Sequence, residues 1–544
     1  MGLVLEVKRA RSFLWVVAAA NAWVGCSSSS PSDSSPPPVD AGHDVHSVSA
    51  DAAAKDAAPP PRLKWAACDT STWPDGYPIP PSGLECTKID VPLDYNDPKN
   101  GKTFTLNVGR VLSNAHPSTG KAVFALAGGP GGSAVWESGV LPMVFPGLFD
   151  TFDVIYVDQR GTGGSNYLNC TNAGGNPVTV QDWTTCAAEN NVYPLNDYLT
   201  AEMAEDIDSV RVRLGYSKMY IRGGSYGTRV GLEYARRFPE NLAAAVLDGV
   251  LPPDVDIFSQ EETATDTDVN GLVAACAASP ACLAVSPNLL SDLEARKATL
   301  AASPRSITIG GQPYEEDVQA FDEELFGACD WTGTYYSIPQ AIHASVGGDD
   351  TPWNEVLTNV YGTTVTGDSD PAPHPHARRA ARIRTIAPRR NPVWKGLSYV
   401  AIGTYETVTC AEYKPNTSIP ALEALVPEQN WQYPADGTDT VWQLQACSSW
   451  DVSPVAASER QPVTSPARIL LMNGAIDDRT PAAWGAHAKE TLPNATNVLI
   501  PYASHEAGTV FPCPADMTVQ YLVNDGDYSK VDSSCIQAIT QPPW

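Results

Sequence analysis

The chain has 544 residues, 43% hydrophobic composition and a formal charge of −27 at pH 7. It can bury a large core, and its acidity argues against nucleic acid or an anionic lipid surface as partner. Twelve cysteines without a Cys-x-x-Cys pair, and eight histidines without a His-Glu-x-x-His spacing, point to disulfides in an exported chain. Neither a metal nor a cofactor is expected.

In chain order, the first element is an export leader over residues 1–26. Lys8, Arg9 and Arg11 form its charged front, and "FLWVVAAANAWVG" is an apolar stretch too short to span a bilayer comfortably. Its end at Cys26, after Val24 and Gly25, resembles the lipobox of bacterial lipoproteins, in which the thiol is acylated; Trp23 stands where a branched aliphatic residue is usual. The resemblance implies a lipoprotein of the bacterial cell envelope, at the outer membrane, with ordinary secretion as the alternative. Residues 27–62, rich in Ser, Pro, Ala and Asp, lack the apolar groups to offset their ordering entropy and are expected to be a disordered tether. No later segment is apolar enough to cross a membrane, so a membrane enters only through the lipid.

Short closures along the chain suggest five disulfides, Cys68 with Cys86, Cys170 with Cys186, Cys276 with Cys282, Cys410 with Cys447 and Cys513 with Cys535, leaving Cys329 free. The folded part is expected to divide into a core over residues 63–255, an inserted cap over 256–440 and the rest of the core over 441–544. Apolar runs bounded by glycine predict strands in "KAVFALAGGPGGSA", "FDVIYVDQRGTGGS", "KMYIRGGSYG", "NLAAAVLDGV", "ARILLMNGAIDD" and "TNVLIPYASHEAG". Alternating with helical stretches, they fit an α/β fold: a mostly parallel sheet with helices on both faces and functional residues at the strands' carboxyl ends.

Ser225 lies at the centre of Gly223-Gly224-Ser225-Tyr226-Gly227, after a strand and before the helical "RVGLEYARRF". In that context a Gly-x-Ser-x-Gly pentapeptide is a nucleophile elbow rather than a turn. A serine hydroxyl needs a base and a group to orient it. Asp477 follows one strand and His505 the next, which makes them acid and base; Asp478 and Asp248 are the rival acids. His487, in the helical "PAAWGAHAKETL", is the rival base, and His374 and His376 lie in a Pro-rich basic loop and are most simply solvated. The oxyanion would be met by the backbone N–H groups of Tyr226 and Gly129, the latter in "GGPGG".

These stretches, with "GGPGGS", "GAIDDRTP" and "ASHEAG", resemble the alpha/beta-hydrolase family of prolyl iminopeptidases and the exported tripeptidyl aminopeptidases with a specialised C-terminal segment. Ala127 replaces the histidine common before the glycines, and Asp478 stands where the larger group usually has proline. The resemblance implies a Ser225, Asp477, His505 triad and a cap whose acidic groups hold the free amine of a peptide. Glu315, Glu316, Glu323, Glu324 and Glu412 are candidates for that contact. The cap is expected to be largely helical, with helices over "NGLVAACAAS", "NLLSDLEARKATLAAS" and "DVQAFDEELFGACDW". The function expected is that of an exported serine aminopeptidase acting on peptides with free N-termini. An esterase or lactonase is the alternative, and a non-catalytic binding lipoprotein the third reading.

Overall fold

The computed structural model describes residues 62–544 except 72, 75–76, 115–119, 171–179, 191, 368–399, 426–430, 432–443 and 445–446. The leader, Cys26, the tether, His374 and His376 lie outside the described residues.

Strands β1 (Ala66–Ala67), β2 (Glu85–Pro92), β3 (Thr103–Val111), β4 (Ala122–Leu126), β5 (Asp153–Val157), β6 (Met219–Gly224) and β7 (Leu242–Asp248) are followed by β8 (Arg305–Ile309), β9 (Gln312–Glu316) and β10 (Val365–Gly367). Strands β11 (Ile469–Gly474) and β12 (Ala495–Ile500) come last. Nine of them form one sheet in the order β1-β2-β3-β5-β4-β6-β7-β11-β12. From β5 to β12 every pairing is parallel, whereas β1, β2 and β3 run antiparallel to their neighbours and to β5. The six parallel strands are the six expected from their apolar runs. Strands β1 to β3 were not expected, although β2 carries a period-2 burial pattern through Thr87, Ile89 and Val91 that suits a half-covered antiparallel strand.

Alternate residues of the parallel strands feed two cores. Phe124, Ile221, Leu247 and Leu471 pack on one face with Ile207, Val210, Val230 and Tyr234, from the helices Thr200–Leu214 and Tyr226–Arg237. Val123, Val154, Val246 and Leu470 pack on the other with Met517, Tyr521 and Leu522 of the helix Pro512–Val523. A sheet covered on both faces needs continuous apolar strands, which is why these runs showed no alternation.

Between β7 and β11 lies the cap. Its helices Ile257–Ala278, Leu289–Ala302, Val318–Cys329, Ile338–Val346 and Thr351–Tyr361 enclose a core of their own around Leu293, Phe321, Leu325, Ile342 and Trp353. A three-stranded antiparallel sheet, β10-β8-β9, adds to the expected helices. Its hairpin turns at Gly310-Gly311, both with positive φ, the pair that a two-residue hairpin turn favours. The five disulfides form as the short closures suggested, and Cys329 is free and buried.

Candidate active site

Strand β6 ends at Gly224 and a helix begins at Tyr226, so Ser225 alone makes the corner, at φ 52° and ψ −125°. That is a costly conformation for an L-residue and the one an elbow imposes. Three hydrogen bonds hold it. Ser225 N–H donates to the Asp248 carbonyl at 2.9 Å, and the Ser225 carbonyl accepts from Thr228 N–H at 2.8 Å and Thr228 Oγ1 at 2.6 Å.

The glycine loop after β4 presses on this corner. A Cβ added at Gly128 would stand 3.0 Å from Ser225 Cβ and 3.6 Å from its Oγ, so backbone without a side chain is what permits the approach. The N–H groups of Gly129 and Tyr226 donate to no acceptor among the described residues. Asp158, fully buried at the end of the next strand, fixes the far side of the loop. It accepts from Ser133 Oγ at 2.5 Å and Val135 N–H at 3.0 Å, and also from Asn107 Nδ2 and Gly164 N–H, each at 2.9 Å. This bracing role was missed from sequence, although "VDQRGTGGS" carries the aspartate directly after a predicted strand.

His505 stands in the loop after β12. Its Nδ1 lies 3.0 and 3.1 Å from the two carboxylate oxygens of Asp477, whose side chain is wholly buried. Thr480 completes the arrangement, donating to Asp477 from both N–H (2.9 Å) and Oγ1 (2.8 Å), with Oγ1 3.1 Å from His505 Nδ1. A Cβ added at Gly249, next to the residue that holds the Ser225 N–H, would stand 3.0 Å from His505 Cε1. The imidazole therefore lies against the end of β7, beside the elbow. Burial presses its pKa down, but the Asp477 charge and hydrogen bond outweigh burial and, helped by Glu506 and Asp330, push it up to about 9.

The rivals are engaged elsewhere. Asp478 turns away from His505 toward Asp268 of the cap, and burial followed by the charges of Asp330 and Asp268 holds it well above the usual carboxylate range. Asp248 Oδ2 accepts from Gly508 N–H at 2.9 Å, and His487 Nε2 lies 2.6 Å from Asp254.

The five glutamates expected to hold an amine stand in separate surroundings. Glu412 is buried against the helix Tyr226–Arg237, bound to Arg229 Nε and to Thr200 N–H and Oγ1, each at 2.8 Å. Glu316 is saturated in the cap by Arg296, Arg305 and the Trp353 Nε1–H. Glu324 is buried beside it with the Tyr361 hydroxyl at 3.3 Å, Glu323 accepts from Gln319, and Glu315 is exposed on β9. Their helical and hairpin placement set these contacts, and no local pattern distinguishes them.

Residues 121–281 match the model of the alpha/beta hydrolase fold, and residues 433–535 match that of the TAP-like protein family. The chain has the alpha/beta hydrolase fold. Serine protease Hip1 of Mycobacterium tuberculosis is 29% identical over 206 residues, 33% of this chain and 38% of that protein. The tripeptidyl aminopeptidase of Streptomyces lividans is 27% identical over 32% of this chain and 37% of its own length. The proline iminopeptidase of Neisseria gonorrhoeae is 32% identical over 24% and 33%. The chain thus spans well under half the length of each of these relatives.

Proposed function

We propose that the protein is a serine peptidase that removes short fragments from peptide N-termini through an acyl-enzyme. The observation that carries the reading is the Asp477 and His505 pair set beside a serine held at positive φ. In this reading Ser225 Oγ attacks the scissile carbonyl while His505 Nε2 takes its proton and then returns it to the leaving amine. Asp477 orients and stabilises the imidazolium, and the Gly129 and Tyr226 N–H groups receive the oxyanion. Water repeats the sequence to release the acyl fragment.

Peptidase over esterase is supported by the relatives' names and by an acid cluster beside the triad. Asp268 of the cap, Asp330 at the end of a cap helix and Asp478 converge, with Arg479 Nε 3.0 Å from Asp330 as a basic partner. Burial, the largest effect, leaves Asp268 pushed up to about 7 and Asp478 raised with it, so this corner holds a proton that an ammonium would displace. We assign the amine contact to this cluster in place of the five glutamates.

A panel of amino-, dipeptidyl- and tripeptidyl-amide reporters, each free and N-acetylated, beside simple esters, tests the reading. Blocking the amine should cost about a hundredfold in kcat/KM, roughly 3 kcal/mol for a buried charge left without its partner. Asp268→Asn should narrow that gap and spare ester hydrolysis. Equal rates on free and blocked peptides would return the protein to the esterase reading with its triad kept. We also propose that residues 1–26 are an export leader and that Cys26 is lipidated, with residues 27–62 as tether and 256–440 as cap. Mass spectrometry of the mature chain should find a diacylglyceryl group on Cys26 followed by Ser27; an unlipidated N-terminus would make it a secreted enzyme.

A further inference from the structure

Glu506 follows the proposed base directly and sits at φ 51° and ψ 59°, a left-handed conformation that a glutamate adopts at a cost. The backbone turn sends its carboxylate back under the elbow. Arg222 Nη2, three residues before the nucleophile on β6, lies 3.1 Å from Glu506 Oε2 and 3.4 Å from Asp248 Oδ2. Asp248 in turn accepts the Gly508 N–H through its side chain and the Ser225 N–H through its carbonyl. A Cβ at Gly224 would stand 2.6 Å from Glu506 Cδ, so the carboxylate rests against the residue that precedes Ser225.

One guanidinium therefore joins the strand that delivers Ser225, the strand end that holds its N–H, and the loop that delivers His505. We propose that Arg222 and Glu506 are a positioning pair that keeps the His505 loop in register with the nucleophile elbow. Neither residue is asked to touch substrate. The inference rests on Ser225 and His505 being nucleophile and base.

The need for such a tie follows from the topology. Ser225 and His505 are 280 residues apart in the chain and stand on strands separated by β7 and β11. The Asp477 contact orients the ring about its own bonds and leaves the distance to the elbow unset. Breaking the pair is costly on the arginine side, because the Arg222 side chain is 9% exposed and would be left with its charge in a low-dielectric site, while Glu506 is 28% exposed. Arg222 is 7% exposed, with its guanidinium over the Phe145 ring at 5.2 Å.

The charges around the base give the pair a signature that a merely structural contact would lack. Asp477, Asp330, Asp248 and Glu506 face His505, while Arg222 and Glu137 face Glu506. Negative charge on Glu506 favours the imidazolium, so removing it should make the base neutral at lower pH.

The experiment compares pH profiles of kcat and kcat/KM for the full chain, Glu506→Gln, Arg222→Met and the double variant. The substrate is the best free-amine reporter, with Ser225→Ala as control and a thermal melt for each protein. Glu506→Gln, which keeps the shape and an oxygen for Arg222, should lower kcat by about tenfold to a hundredfold, as misplacement of a base does, with KM within threefold. Its acidic limb in kcat/KM should move to lower pH. Arg222→Met should lower kcat while moving the limb the other way, and the double variant should be no worse than the poorer single one. A folded Glu506→Gln enzyme with the kcat and limb of the wild type would overturn the pair, as would additive losses. If Arg222→Met does not fold, Glu506→Gln decides alone. Loss of activity in Ser225→Ala with wild-type behaviour in Glu506→Gln would sink this inference and leave the triad standing, whereas an active Ser225→Ala would sink the reading beneath both.

Discussion

Asp477 and Asp478 are neighbours in the chain with opposite surroundings. The first is tied by Thr480 and His505 into one hydrogen-bonded unit; the second faces two further carboxyl groups in the cap. Asp477→Asn should therefore lower kcat by about four orders of magnitude, the loss expected when a base is left in the wrong tautomer. Asp478→Asn should act on amine selectivity and cost less than tenfold on a small ester. Ser225→Ala should reduce turnover by at least about a thousandfold with an unchanged melt, since it removes one hydroxyl from a partly exposed corner. The pH dependence follows from His505. A base raised to about 9 by Asp477 is protonated at neutral pH, so kcat/KM should climb through an acidic limb well above the ordinary histidine value of 6.5. The sign for stability is opposite. The imidazolium contact stabilises the fold in full below about 6.5, and that contribution is lost as pH rises through about 9. A limb near 6.5 in the wild type would contradict the assigned partner.

At the scale of elements, the glycine loop proposed to receive the oxyanion depends on what packs behind it. Gly131 has φ 104°, and a Cβ there would stand 2.6 Å from Val400 Cγ1 and 2.7 Å from the Ala401 carbonyl, in the segment inserted between β7 and β11. Ala401 N–H donates to the Gly131 carbonyl at 2.9 Å, which ties the loop to that segment. Gly131→Ala should displace the donors from the developing oxyanion and lower kcat about a hundredfold on amides and esters alike. Selectivity for the free amine should survive, because the nearest atoms to an added Cβ belong to Val400 and Ala401 and not to Asp268. A change confined to KM would show that the loop only admits substrate.

At the scale of the whole molecule, the disulfides close loops of very different length. Cys410 and Cys447 are 37 residues apart and Cys276 and Cys282 only 6. Loop-closure entropy predicts about 4 kcal/mol of stabilisation from the first and roughly 2 from the second. Paired serine substitutions, melted under non-reducing conditions, should lower stability in that order; the reverse order would show that native-state packing governs both sites.

Much of this architecture was legible because the information was local. The six buried strands announce themselves as apolar runs, the elbow as small residues around a serine between strand and helix, and the disulfides as short closures. The order Ser225, Asp477, His505 follows once each is assigned to a strand end. Strands β1 to β3 and the β8-β9 hairpin also left signals, in the alternation at Ile89 and Val91 and the Gly310-Gly311 turn. By itself the sequence determined the fold class and pointed to the residues proposed for acyl chemistry, since periodicity and turn chemistry act over a few residues. Which of two adjacent aspartates meets the histidine, that Glu412 and Glu316 are neutralised by arginines, and that Arg222 reaches Glu506 were decided only by tertiary structure. A carboxylate's role depends on the charges and donors within a few ångströms, and here those come from residues as much as 284 positions away.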